Sequence, residues 1–298
     1  MAIQLDFSRA EQQRLQITQE QQEYIRNLYS QASEEIGKLA EKAPRVPSDV
    51  LRQQYLKNLQ KQIDGELKGI ERGLNGSIRS SMGETAKATI ADAKTFLKGN
   101  GLPIKGAYSR VPSDIVRSVA TGKLYASNWS LSRALWLNTK ETQKDIHSII
   151  AKGIAENKSA YEIAKDLEKY VDPLARKDWD WSKVYPGTRR VVDYNAQRLA
   201  RTMVSHAYQQ SFVRMTQKNP FVSKYKWEAS NSERTCEICE ERDGKLFDKD
   251  DLPLDHPNGM CTFTAVMDDL DTIGERLGDW AAGKEDPEID AWYKSIYT

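Results

Sequence analysis

Long apolar runs are missing from this chain of 298 residues, and without a stretch of eighteen apolar residues an α-helical membrane span is excluded. The opening stretch MAIQLDFSRAEQQR has neither the basic region nor the apolar core of a signal peptide, so synthesis in the cytosol is expected. Net charge is nearly absent as well. With 44 basic and 43 acidic residues the formal balance is +1, which exerts no global pull on nucleic acid or an anionic membrane. Any nucleic-acid contact has to be local. Three cysteines, an odd number expected in a reducing compartment, argue against a disulfide framework and favour metal binding or buried thiols. No GxSxG, Walker loop, Rossmann fingerprint or HExxH is present.

What the chain has is charge on helices. A hydrophobic fraction of 39%, a charged fraction of 29% and a mean hydropathy of −0.69 are what long, solvated helices produce. Ser8-Arg-Ala-Glu11 has the form of a capping box, and Ile25, Leu28, Ala32, Ile36 and Leu39 follow at three- and four-residue spacing. Pro44 and Pro47 end that run. A second run carries Leu56, Leu59, Ile63, Leu67, Ile70, Leu74 and Ile78, close to an eleven-residue repeat and so predicting a nearly straight helix. Gly65, Gly69 and Gly73 recur on one of its faces and predict close packing by another helix. The pentapeptide RVPSD occurs at Arg45–Asp49 and Arg110–Asp114, each time opening an apolar-periodic run.

Two further helices are expected between Ser130 and Val171, the second opened by a capping box at Ser159-Ala-Tyr-Glu162. The stretch holding Pro173, Trp179, Trp181 and Pro186-Gly187 is an aromatic-rich connector at which a domain boundary is placed. Beyond it a helix from Val191 to Asn219 precedes three short β-favouring pieces, Lys224–Ser230, Lys245–Asp248 and Thr262–Met267, separated by Asp243-Gly244 and Asn258-Gly259. His147 and His206 lie in apolar-periodic runs and are expected to be helix-face or core residues.

All three cysteines and the remaining histidine fall between Thr235 and Cys261. Cys236 and Cys239 form a C-x-x-C whose chain reversal can bring two thiolates to one ion, and His256 and Cys261 supply two more soft or borderline donors. A Cys3His set closes a structural zinc site, so Cys236, Cys239, His256 and Cys261 are the expected metal ligands. Asp243 and Asp255 are close enough in sequence to join or replace one of them. The alternatives are three reduced thiols that meet no metal and a redox pair, for which the βαβ context is lacking. A metal-dependent nuclease or other hydrolase needs an open coordination position and a base, and no histidine follows His256.

The chain resembles the phage Mu F-like minor head proteins, also called head morphogenesis or portal-associated minor capsid proteins. The likeness rests on Asn195-Ala-Gln-Arg-Leu-Ala-Arg-Thr202 in a helix, then Trp227, Arg234-Thr-Cys236, Cys239, Asp243-Gly244-Lys245, Pro253, and His256-Pro-Asn258 followed by Cys261. The family pattern usually ends His-Pro-Asn-Cys-x-Cys, and here Gly259 stands where the first of those cysteines would. The resemblance implies a virion protein of the capsid interior, working with the portal in head assembly, DNA packaging or DNA ejection. It implies no established catalysis.

The expected architecture is α+β and mostly α, a long helical N-terminal region followed by a small helix-plus-hairpin domain stapled by zinc. The segments are a helical stem over 1–110, a helical middle region over 111–175, a connector over 176–190, the α+β domain over 191–270 and a tail over 271–298. The resemblance implies the portal as partner and possibly a major capsid or scaffold protein, while contact with packaged DNA stays open. The stem helices and the tail aromatics Trp280, Trp292, Tyr293 and Tyr297 are the candidate partner surfaces.

Overall fold

Apolar periodicity of three and four is the dominant pattern in this sequence, and helices dominate the fold it makes. The structure, a computed structural model, describes residues 7–44, 49–99, 108–125, 129–173, 193–230 and 235–297. The connector over 176–190 with Trp179, Trp181, Pro186 and Gly187, together with Pro47 and Arg234, lies outside the described residues. The helices are α1 (Ser8–Ala40), α2 (Asp49–Gly99), α3 (Val111–Thr121), α4 (Leu131–Ala155), α5 (Ala160–Val171) and α6 (Tyr194–Thr216). They lead into β1 (Val222–Glu228), α7 (Glu237–Arg242), β2 (Leu246–Phe247), β3 (Thr262–Met267), α8 (Leu270–Ala281) and α9 (Pro287–Tyr297). Among the described residues the fold is mostly helical with one small antiparallel sheet.

By packing the chain forms two units. One comprises Gln19–Ile78 and Ser127–Ala200; the other comprises Met1–Thr18, Arg79–Ala126 and Arg201–Thr298.

In the first unit the expected stripes are core. Ile25, Ala32 and Ile36 of α1 are buried, as is Tyr29, and all seven apolar residues of the Leu56–Ile78 run are buried on α2. The Leu56–Ile78 stripe is thus covered within the chain, while Leu28 and Leu39 of α1 are half-buried and Val50 stays 76% exposed. The small-residue face is only partly used: a Cβ on Gly73 would meet Leu28 at 3.0 Å, whereas Gly65 and Gly69 have nothing within 4 Å. Close packing therefore explains Gly73 and not the other two.

The Ser159 capping box is present in both directions, with Glu162 donating its amide to Ser159 Oγ and accepting from Ser159 N at 2.7 Å. The box expected at Ser8 is displaced, because Ser8 is already the first residue of α1 and the cap position falls on Phe7, whose carbonyl accepts from Glu11. Tyr170 closes the packing of α5 on α4 by donating to Asp145 Oδ2 at 2.6 Å. At the crossing of these helices a Cβ on Gly153 would sit 2.5 Å from Ile163 Cγ1. We expect Gly153→Ala to force the helices apart and to cost about 1–3 kcal/mol. Equal denaturation midpoints for variant and parent would contradict this packing.

In the second unit the sheet has the order β2-β1-β3, both pairs antiparallel. Tyr225 pairs with Phe247 on one side and with Ala265 on the other, and Trp227 pairs with Phe263. Alternate residues of β1 face α6. Phe212 of α6 stacks on Phe7 at 5.1 Å, Tyr225 at 5.3 Å and Phe263 at 6.0 Å, and Trp227 meets Phe263 edge-on at 5.0 Å. The core of the sheet therefore includes residues from the start of α1 and from α2, Phe7, Ala10 and Ala93.

A satellite cluster of Phe221, Ile289 and Trp292 docks α9 beside the sheet, with Trp292 edge-on to Phe221 at 5.7 Å. Arg276 pins the α8–α9 turn through Asp286 at 2.6 Å and Glu288 at 2.7 Å. Of the tail aromatics, Trp292 is thus core, while Tyr293 stays 42% exposed against Trp280.

Burial pushes the Tyr225 hydroxyl up to about 12, although its bond with Thr216 partly offsets this. A phenol whose folded pKa is raised contributes stability that is whole below the unfolded value near 10 and is lost as pH rises towards the folded one. Tyr208 and Tyr125 are shifted the same way by burial. Between pH 10 and 12 the unit is expected to lose on the order of 2–3 kcal/mol through Tyr225 alone. Tyr225→Phe should flatten that loss in denaturant titrations run at each pH.

Candidate metal centre

The C-x-x-C opens α7. Cys236 occupies its cap position in extended conformation, and its carbonyl accepts from the amides of Cys239 at 2.9 Å and Glu240 at 3.0 Å. The turn is held to β1 by Asp243, whose Oδ1 accepts from Ala229 N at 2.8 Å, and by Gly244, which takes a positive φ of 72° and donates to Trp227 O. Arg242 lies over the Trp227 ring at 4.9 Å. Asp243 is therefore a turn residue and not part of the donor cluster.

The second half of the site is the loop from Pro253 to Cys261, and a polar face of α6 reads its backbone. Gln209 donates to Pro253 O at 2.7 Å and accepts from Asp255 N at 2.9 Å. His206 Nε2 donates to Asp255 O at 2.9 Å, and Ser205 Oγ donates to Gly259 O at 2.8 Å. Thr202 Oγ1 accepts from Asn258 N at 2.8 Å, and Arg201 donates to Asn258 Oδ1 at 2.6 Å. These residues recur at the helical spacing that puts them on one side. Asn258 takes φ 71°, which asparagine tolerates better than most side chains. From α1, Arg14 completes the frame by donating to Cys261 O at 3.0 Å and Met260 O at 3.1 Å, with its guanidinium 4.6 Å above the Tyr208 ring.

These supports bring the expected donors together in two groups that share Cys239. Cys236, Cys239 and His256 have donor atoms all within 4.8 Å of one another, and so do Cys239, Asp255 and Cys261. Cys236 Sγ is 3.3 Å from His256 Nε2, and Cys261 Sγ is 3.3 Å from Cys239 Sγ. Two sulfurs on a tetrahedral zinc lie about 3.8 Å apart for bonds of about 2.3 Å, so the donors need little movement to take up an ion. His256 Nδ1 donates to Pro257 O at 3.0 Å, so in the neutral imidazole Nε2, turned to Cys236, is the nitrogen that carries the lone pair. Cys236, Cys239, His256, Cys261 and Asp255 could thus hold a metal ion.

The thiols differ. The Cys239 amide, aided by that of Ile238, draws the Cys236 thiol below its usual range, while burial pushes the Cys239 and Cys261 thiols up. Burial also raises the Asp255 carboxyl. Asp255 is buried, and its Oδ2 has no hydrogen-bond partner among the described residues. A cation bound there would satisfy that oxygen.

The sequence places His147 and His206 as helix-face or core residues, and the structure puts the first on a helix face and the second in the core. His147 pairs with Gln60 on the surface, and His206 is buried between Tyr125 and the Asp255 carbonyl. The supporting role of His206, Ser205, Gln209 and Arg14 was missed. For α6 the signal was available as polar residues at three- and four-residue spacing within an apolar helix; for Arg14 there was none.

Residues 144–263 match the family described as Phage Mu protein F like protein. The matched stretch starts within α4, is less than half of the chain, and ends just after Cys261. No curated protein and no solved structure matches the chain.

Proposed function

We propose, from the match of residues 144–263 to the Phage Mu protein F-like family, that this chain is a member of that family and a minor head protein of a phage virion. It binds the portal on the capsid interior and supports head assembly, DNA packaging or DNA ejection. A single structural zinc held by Cys236, Cys239, His256 and Cys261 staples its C-terminal part. The observation that carries the reading is the family match, which runs through every one of these residues. A near-neutral charge fits association through protein surfaces better than DNA coating, which needs clustered phosphate contacts.

The protein acts by binding and not by catalysis. Both ring nitrogens of His206 are engaged, and Cys239, Asp255 and Cys261 are buried. Among the described residues no helix is long and apolar enough to cross a membrane. Co-expression with the phage portal is expected to give co-purification that survives moderate salt. Failure of the two to associate, or a complex that dissolves with the steep salt dependence of phosphate contacts, would count against portal docking. Incubation with single- or double-stranded DNA or RNA and magnesium, manganese or zinc is expected to give no cleavage. Cutting that His256→Ala abolishes would instead establish a metal-dependent nuclease.

A further inference from the structure

Position 259 has no side chain, and the space where one would begin is filled. A Cβ built on Gly259 would run into the carboxylate of Asp255, which therefore occupies the volume that any larger residue at 259 would need. The φ of Gly259 is not positive, so close approach and not backbone freedom is the reason for glycine here. The carboxylate is held in place from both sides of its own backbone. Gln209 accepts from its amide and His206 donates to its carbonyl, while Oδ1 accepts from His256 N at 2.9 Å. Its other oxygen is buried without a hydrogen-bond partner among the described residues, and a carboxylate oxygen of Asp255 lies within 4.8 Å of the sulfurs of Cys239 and Cys261. A buried carboxylate oxygen left without a partner is costly, and a cation meeting it would remove that cost.

We propose that Asp255 is itself a metal ligand, giving this centre a mixed thiolate–carboxylate donor set in which the carboxylate takes the place of a side chain at position 259. This rests on the metal reading given above. Cys239 is the common corner: with Cys236 and His256 it forms one donor face, and with Cys261 and Asp255 the other. An ion bonded to Cys261 has the Asp255 oxygen within reach, as hard-oxygen and soft-sulfur donors on one zinc allow. The competing explanation is that Asp255 is balanced by its protein neighbours alone, by His256 beside it and by Arg14, whose guanidinium donates to the Met260 and Cys261 carbonyls.

The two readings separate in the full-length protein titrated with cobalt(II), followed by thiolate-to-cobalt charge-transfer absorption and by chelator competition. The parent is expected to bind about one cobalt. Asp255→Ala should bind it at least about tenfold more weakly. Gly259→Cys alone should also bind poorly, because its side chain meets the Asp255 carboxylate. The double variant Asp255→Ala/Gly259→Cys should recover affinity and gain the charge-transfer intensity of one additional thiolate, a gain that a merely structural carboxylate does not predict. Parental affinity in Asp255→Ala, or a double variant without the added thiolate band, overturns the assignment while leaving the metal centre standing. A parent that shows no thiolate charge-transfer band overturns the metal centre, and this assignment with it.

Discussion

Arg14→Ala is expected to destabilise the cysteine-bearing unit by about 3–5 kcal/mol, although residue 14 is more than two hundred positions from the cysteines. The side chain is 1% exposed, its two Nη atoms donate to the carbonyls of Met260 and Cys261, and its guanidinium lies 4.6 Å over the Tyr208 ring. Hydrogen bonds from a charged donor contribute about 1.5–3 kcal/mol each, and a desolvated cation–π contact about 2 kcal/mol. The sum is reduced by whatever water reaches the freed carbonyls. Arg14→Lys should recover only part of the loss, because one ammonium does not reproduce a planar fork that serves two carbonyls and a ring face together. Denaturant unfolding followed through tryptophan fluorescence reads the effect, Trp227 lying in the same core. The same packing predicts that removing residues 1–18 takes Phe7 and Ala10 out of that core as well as Arg14 off the loop, and lowers the midpoint further. An Arg14→Ala protein with the parental midpoint would show that the start of α1 does not hold the loop.

Cys239→Ser should be the most damaging of the single cysteine changes. Cys239 alone belongs to both donor groups, and it is buried. Losing one of its neighbours leaves one face of the site; losing Cys239 leaves neither. For structural zinc, binding free energy is in large part folding free energy, on the order of 10 kcal/mol in small zinc modules. The expected order of chelator sensitivity is Cys239→Ser first, then Cys261→Ser, with Cys236→Ser mildest because its thiol is partly exposed. Metal retention by Cys239→Ser at the parental level, measured by dialysis against a graded chelator, would contradict the shared-corner geometry.

Much of this was legible before the structure. Leu56 to Ile78 read as a helix stripe because their spacing is helical and their neighbours are charged, and every one is buried. The Thr262–Met267 strand was found at its observed bounds, and the Ser159 box held because both of its partners are local. The β1 strand begins two residues before the expected Lys224, and β2 is shorter than the expected Lys245–Asp248. Long-range arrangement was the part that sequence did not carry. A stripe tells which residues are buried and not what buries them, so a stem in chain order was expected where Phe7 and Ala93 pack with the sheet. The site divides in the same way. Ligand-type residues show by identity, but Arg14 reaches its carbonyls through tertiary geometry alone, and the contact between Asp255 and Gly259 is a matter of volume that no motif encodes.

Elemental analysis of the full-length protein purified without chelator, paired with its melting curve before and after chelator treatment, tests the central claim most directly. About one zinc per chain is expected, with a fall in the melting temperature of the cysteine-bearing unit as the metal is withdrawn. A fully folded protein that carries no metal and melts identically with and without chelator would contradict it.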